Sequence, residues 1–322
     1  MAAAGLAAGP TGPEPMPSYA QLVRRGWGSA LAAARGCTDC GWGLARRGLA
    51  ENAHLAPPEL LLLALGALGW TALRSAATAR LFRPLAKRCR LQPRDAAKMP
   101  ESAWKFLFYL GSWSYSAYLL FGTDYPFFHD PPSVFYGRGP EGMAGRALKG
   151  GYLALSELRK ESWRRDPCVG PGSHPLLSAS CSPRYHNVGI LVLFLHDISD
   201  VHLEFTKLNI YFKSRGGSHH RRHALAADLG CLSFGFSWFW FRLYWFPLKV
   251  LYATSHCSLR VVPDIPFYFF FNTLLLLLTL MNLYWFLVTL EVKDTTSYDH
   301  ATAIAWTIEK PLRNGLVKDK RL

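Results

Sequence analysis

Arg184–Phe212 reads RYHNVGILVLFLHDISDVHLEFTKLNIYF. It opens on an uncharged apolar run, Val188 to Leu195. It then sets His196, Asp197, Asp200, His202, Glu204 and Lys207 among residues that stay apolar. Residues four apart share one face of a helix. A helix here therefore carries His196, Asp200 and Glu204 in one stripe, with Asp197 and Lys207 beside it. On a membrane helix such a stripe is costly unless it faces a wet cavity or a protein interior, and its ionisable residues are functional candidates by default. Whether this helix lies in a membrane decides how the rest of the chain is read.

The composition answers that. The 322 residues are 50% hydrophobic and 18% charged, against about 25% charged in soluble domains. The apolar residues come in blocks, as membrane spans do and an ordinary core does not. The formal charge of +14 is clustered beside those blocks, which fits orientation in a membrane and not phosphate-backbone binding, so no nucleic-acid partner is expected. The seven cysteines are scattered. Cys37 and Cys40 form one CxxC without a second pair, which supports neither a metal site nor a disulfide framework. The opening MAAAGLAAGPTGPEPMP has no basic region followed by an apolar core. It is not a secretory signal peptide, so the first span does the targeting.

Residues 1–54 read as a Gly/Ala/Pro-rich segment with one short amphipathic helix around Tyr19 to Ala34. The first span candidate is Leu55–Leu73, within a first membrane segment over 55–82; a membrane helix needs about 20 residues, so it borrows its flanks. Arg74–Lys98 is a strongly basic connection. Phe106–Gly122, Val188–Phe205, Ala224–Pro247 and Pro266–Leu290 are the next four spans. The expected fold is all-α: a polytopic transmembrane helical bundle with about five recognisable spans. Asp228 and Arg242, inside the fourth, read as helix-pairing or interface residues.

The basic connections 74–98 and 207–223 and the tail 291–322 are expected on the cytoplasmic side, with the N-terminal segment luminal. Residues 137–183 break the pattern. They are polar, rich in Gly, Pro and Ser, and basic where a luminal loop should not be. Lys318 and Lys320 stand fifth and third from the C-terminal Leu322, the spacing of a dilysine retrieval signal for the endoplasmic reticulum.

Arg184–Phe212 resembles the second half of the Lag1 motif of the ceramide synthases, within the TRAM-LAG-CLN8 (TLC) membrane domain. KMPESAWKFLFYLGSWSYSAYLLF, from Lys98 to Phe121, and the aromatic text around SFGFSWFWFRLYWFPLKVLYATSHCS resemble the same family. The domain would cover 98–290. The connection between the first two spans is short, as in one subtype that lacks the homeodomain-like insert of the others. Two departures stand out. The intact family has seven spans, two of them between Tyr136 and Arg184, and the second of these bears an adjacent His-His pair held to be catalytic. Here SWRRDP, from Ser162 to Pro167, leads instead into CVGPGSHPLLSASCSP with no such pair. His219-His220 is adjacent but lies in a basic connection, so it is not a match. The second departure is Glu291–Glu309, where the family text is not recognisable. The abrupt return to family text at Arg184 points to an alternative or erroneous splice or gene model for 137–183.

The resemblance implies transfer of a fatty acyl group, stearoyl by subtype, from acyl-CoA to the amine of a long-chain base, without a further cofactor. The amine must lose a proton before it attacks, which suits a histidine. The thioester carbonyl needs a donor or an acyl carrier. His196, Asp197 and Asp200 match the family's HDxxD element and are the catalytic candidates. Either Asp197 or Asp200 would pair with the ammonium or orient a histidine. Glu204 and Lys207 are expected to pair nearer the cytoplasmic end. Arg184, His186 and Asn187 match the start of the half-motif and complete the substrate-binding set. Lys213, Arg221 and Arg222 are candidates for CoA phosphates. Membrane lipid is the expected surrounding, and homo- or hetero-oligomers with other ceramide synthases are allowed. The alternative is a catalytically inert variant that acts only as a lipid-binding or regulatory partner subunit, which residues 137–183 as written favour.

Overall fold

The computed structural model describes residues 16–36, 57–123, 127–135, 185–261 and 267–295. Arg184, the segment 137–183, and Lys318 and Lys320 lie outside them. Among the described residues five long helical stretches stand where five spans are expected, and a shorter amphipathic helix, α1 (Tyr19–Gly36), precedes them. Helix α2 (Pro57–Ala77) runs through a π-helical turn, Thr78–Phe82, into α3 (Arg83–Arg88). Helix α4 is Pro93–Phe121, followed by a 3-10 turn at Pro131–Phe135. Helix α5 is Tyr185–Lys213. Helix α6 (Arg221–Ser237) continues as a π-helix over Trp238–Leu251, a second π segment over Ala253–Cys257, and α7 (Ser258–Val261). Helix α8 is Tyr268–Thr295.

Two of these, Arg221–Arg260 and Tyr268–Leu290, are long enough and contain an apolar stretch sufficient to cross a membrane. α5 falls outside that pair through its charges, and they are buried. The all-helical bundle agrees with the sequence. In lipid every backbone donor and acceptor must be met within the chain, which a helix does by itself.

The helices outrun their apolar cores. Much of 74–98, expected as a connection, is helical: α2 carries on to Arg88, and α4 starts at Pro93. Proline at the first helical position has its φ preset and no N–H to leave unpaired. What remains of the connection is a sharp break at Arg90, held at φ 51. Likewise α5 runs on to Lys213 before a turn that needs two positive-φ glycines, Gly216 and Gly217. The last helix also passes residue 291, where a tail was expected. Outside the hydrocarbon the backbone no longer has to be helical, but nothing in these flanks breaks it.

α5 is the central element. It packs against α4 on one side and against α6 and its π-helical continuation on the other, and α8 closes over that continuation. Gly230 allows the α5–α6 crossing: a Cβ there would sit 2.5 Å from the Thr206 hydroxyl. Small residues that let backbones approach are the usual basis of helix association in lipid, where dispersion contacts replace the hydrophobic effect. Trp70 docks α2 on α4 through Trp104, 4.9 Å between ring centroids, and Phe108, 5.9 Å. The outward Leu61, Leu65 and Leu68 stay exposed.

At one end, the Gly216 N–H donates to the Arg90 carbonyl at 2.9 Å, tying the two basic turns together. Near the other end α1 lies along the last turns of the long helix. Arg25 donates to Tyr252 at 2.7 Å, Ser29 bonds His256 at 2.7 Å, and Gly26 sits close against Ser255.

Candidate active site

His196, Asp197, Glu204 and Lys207 are buried and Asp200 is half-buried, and these side chains reach in different directions. Asp197 is wholly buried and accepts a hydrogen bond at 2.5 Å from Ser112 on α4. Trp113, next to that serine, stacks on Phe194, 5.9 Å between centroids, so the carboxylate sits in an aromatic seam. His196 and Asp200 point the opposite way, into the long helix and α8.

His196 is held at both ring nitrogens. Nδ1 lies 2.9 Å from the Val192 carbonyl one turn back, and a carbonyl only accepts, so Nδ1 carries the proton. Nε2 lies 3.1 Å from the Asn282 amide nitrogen on α8, which donates to it. The ring meets Phe246 edge-on at 4.9 Å. A neutral imidazole with its Nε2 lone pair towards α8 is the arrangement these contacts dictate.

Asp200 forms an ion pair with Arg242 at 2.5 Å. Arg242 lies in the π-helical stretch and is spent on three acceptors: Nε donates to the Ser199 hydroxyl at 2.6 Å, and the terminal nitrogen donates to the His196 carbonyl at 2.8 Å and to Asp200. Its planar fork makes this possible; an ammonium could not span the same set. The guanidinium lies 4.0 Å over the Trp238 ring, and Trp238 in turn donates to the Asn282 carbonyl at 3.1 Å. The contacts therefore close a circuit: His196 to Asn282, Asn282 to Trp238, Trp238 to Arg242, and Arg242 back to His196.

The other stripe members sit further along α5. Lys207 and Glu204 pair at 2.9 Å, both buried. One carboxylate oxygen of Glu204 is buried without a protein partner. His202 bonds Ser237 on α6 at 3.1 Å. Near the start of α5, Asn187 is half-buried with its side-chain oxygen unpartnered. His186 is placed on the first turn of the helix. Asp228 is exposed on α6. No group of three or more metal-ligating side chains is assembled among the described residues.

Three contributors were missed in the sequence. Ser112 and Ser199 are unremarkable by type. Asn282 carried a signal: it is the single amide between Leu274 and Leu290, and an amide buried at that depth needs a partner. Arg242 was assigned to helix pairing, which it does perform, and its contacts also reach the backbone of His196.

A histidine and two carboxylates are each held by a neighbouring helix inside an apolar bundle. Residues 98–290 match the model of the TLC domain. The chain is 75% identical to human ceramide synthase 1 over 349 residues, covering all of both chains, and 63% identical to the mouse protein, covering 99% of each. It is 28% identical to human ceramide synthase 4 over 74% of this chain and 59% of that protein. The chain belongs to the TLC-domain family, among its ceramide synthases.

Proposed function

We propose that this protein is a ceramide synthase, an acyl-CoA-dependent sphingoid-base N-acyltransferase. The near-full-length identity to two ceramide synthases supports this over an inert partner subunit. The observation that carries the site assignment is His196, buried in the bundle with an accepting Nε2, with Asp200 held by Arg242 on the same side and Asp197 held by Ser112 on the α4 side. In the reaction nitrogen loses two protons: the ammonium gives up the first, the amine then attacks the thioester carbonyl, an amide C–N bond forms, the C–S bond breaks, and the second proton ends on the CoA thiol. His196 is the base that takes the first proton and passes it to solvent. Asp197 or Asp200 attracts the ammonium before it is deprotonated. The residues 137–183 contain no adjacent His-His pair, which is why the base is assigned to α5.

Acyl-CoA is a co-substrate, and the reaction asks for no further cofactor. Glu204, Lys207, Asn187, His186 and Arg184 belong to the substrate-binding set. Lys213, Arg221 and Arg222, around the basic turn at Gly216, are the candidates for CoA phosphates. The bond between the Arg90 and Gly216 turns supports a common cytoplasmic end for both basic connections, with residues 1–54 luminal and 291–322 cytoplasmic. The protein is then a multi-pass protein of the endoplasmic reticulum membrane. Stearoyl is the expected acyl group, and assembly with other ceramide synthases is compatible with this arrangement.

The test is ceramide formation from sphinganine and stearoyl-CoA in proteoliposomes holding the full chain. General-base catalysis contributes about 10²–10⁴-fold, so His196→Ala should lose at least about a hundredfold. Full activity in that variant would remove His196 from the chemistry.

A further inference from the structure

Asn282 presents a buried polar atom that the site as described leaves unused. Its side chain is 1% exposed. Its amide nitrogen donates to His196 Nε2, while Oδ1 is buried with no partner among the described residues. An unmet acceptor in an apolar bundle is costly, so it calls for an explanation.

The geometry of His196 supplies one. With Nδ1 fixed as a donor by Val192, only Nε2 is free to change state. When the ring is neutral, Nε2 needs a donor, and the Asn282 amide N–H provides it. When the ring is protonated, Nε2–H needs an acceptor at the same place. Half a turn about the Cβ–Cγ bond of Asn282 exchanges nitrogen for oxygen there, and this torsion is broad and roughly two-fold. No backbone movement is required, because Trp238 holds the Asn282 carbonyl in place.

We propose that Asn282 is a positioning residue for both protonation states of His196, presenting its amide nitrogen to the neutral ring and its oxygen to the protonated ring. This rests on the assignment of His196 as the base. A base that accepts a proton deep in an apolar bundle needs its product state solvated as well as its reactant state, and a two-faced amide does both. Of the neighbouring charged groups, Arg242 on the long helix donates to the His196 carbonyl and pairs with Asp200 one turn along α5, while Asp197 faces away to Ser112 on α4. α8 contributes the uncharged Asn282.

The experiment uses the full chain, labelled with ¹⁵N-histidine and reconstituted in phosphatidylcholine nanodiscs. The His196 signals are assigned by their loss in His196→Gln. In the unmodified protein at high pH, Nδ1 should carry the proton and Nε2 should not; the opposite tautomer would overturn the proposal without any variant. The pH midpoint of Nε2 should move in opposite directions in two substitutions. Asn282→Asp offers only an acceptor once ionised and should raise the midpoint by about one pH unit or more, a tenfold change. Asn282→Leu removes the acceptor and should lower it by a similar amount. Asn282→Gln keeps both faces and should stay near the parent. Shifts in one common direction, or none, would overturn the assignment even where Asn282→Asp folds poorly, since Asn282→Leu is read on its own. The pH profile of kcat/KM should follow the same midpoints with KM little changed. Unchanged ceramide formation in His196→Gln would sink the base assignment instead, leaving the NMR result to judge Asn282 separately.

Discussion

Arg242 and Asp200 offer a test of whether the charges around the site are coupled as the contacts indicate. Their side chains are 8% and 16% exposed and 2.5 Å apart. Solvent-exposed ion pairs are worth about 0.2–1 kcal/mol, whereas removing one partner of a buried pair costs about 3–5 kcal/mol because the other charge is stranded. Arg242→Met keeps the side-chain stem over Trp238 and strands Asp200. It also removes the donors to Ser199 and the His196 carbonyl. Because Asp200 retains some exposure, the lower end applies, a loss of about 3 kcal/mol. Asp200→Asn keeps a hydrogen-bond acceptor and should cost about 1–3 kcal/mol. The paired change Arg242→Met with Asp200→Leu removes both charges and should cost less than the sum of the corresponding single changes by about 2 kcal/mol. Arg242→Lys restores the charge but not the fork and should fall between. The assay is reversible unfolding in mixed micelles followed by circular dichroism, with the four corners of the cycle measured together. A coupling below about 0.5 kcal/mol, the level of an exposed pair, would refute the reasoning.

Other substitutions probe the helix seams. Gly230→Ala places a Cβ against Thr206, 2.5 Å from its hydroxyl, and should destabilise the α5–α6 crossing by about 1–3 kcal/mol; Thr206→Ala in the same chain should recover part of it in the same unfolding assay. Lys207→Met leaves the buried Glu204 carboxylate without its 2.9 Å partner and should cost about 3–5 kcal/mol, while Lys207→Met with Glu204→Leu should be far milder. Asp95, at the start of α4, has its carboxyl pushed above the usual value of 3.8 by burial, against the pull of Arg94, Lys98 and Lys213. A group that binds its proton more readily folded than unfolded weakens the fold as pH rises through that window. Asp95→Asn should therefore be the more stable protein at pH 7, and the gap should close as the pH falls towards and below that carboxyl's own range; a gap that widened on acidification would contradict the burial.

The apolar blocks located the helices because length and hydropathy are what a bilayer selects. They did not locate the helix ends, because Pro93, Arg90 and the Gly216-Gly217 turn act through backbone geometry and not through polarity. The site was half legible. His196, Asp197 and Asp200 stood out as charges in an apolar helix, and the i, i+4 rule placed His196 and Asp200 on one face. Their partners come from other helices: Arg242 is 42 residues from Asp200, and Asn282 is 86 residues from His196. No spacing rule within one helix reaches that far. Asp197, adjacent in sequence to His196, faces α4 instead, which the step of about 100° per residue on a helix makes natural.

The same contacts that assemble the candidate site also hold the bundle together. Asp197 binds α5 to α4, Arg242 binds α5 to the long helix, and Asn282 binds α5 to α8. In lipid such polar contacts are a substantial part of what specifies which helices meet. A substitution at Asp197 or Arg242 therefore lowers stability and activity together, and a loss of activity alone does not assign a catalytic role to either. Asn282 differs. Leu, Asp and Gln at that position change what Nε2 of His196 meets while the Trp238 bond to the backbone carbonyl remains. The direction in which the pH midpoint moves separates chemistry from packing, because a looser helix contact has no reason to move it up for one substitution and down for another.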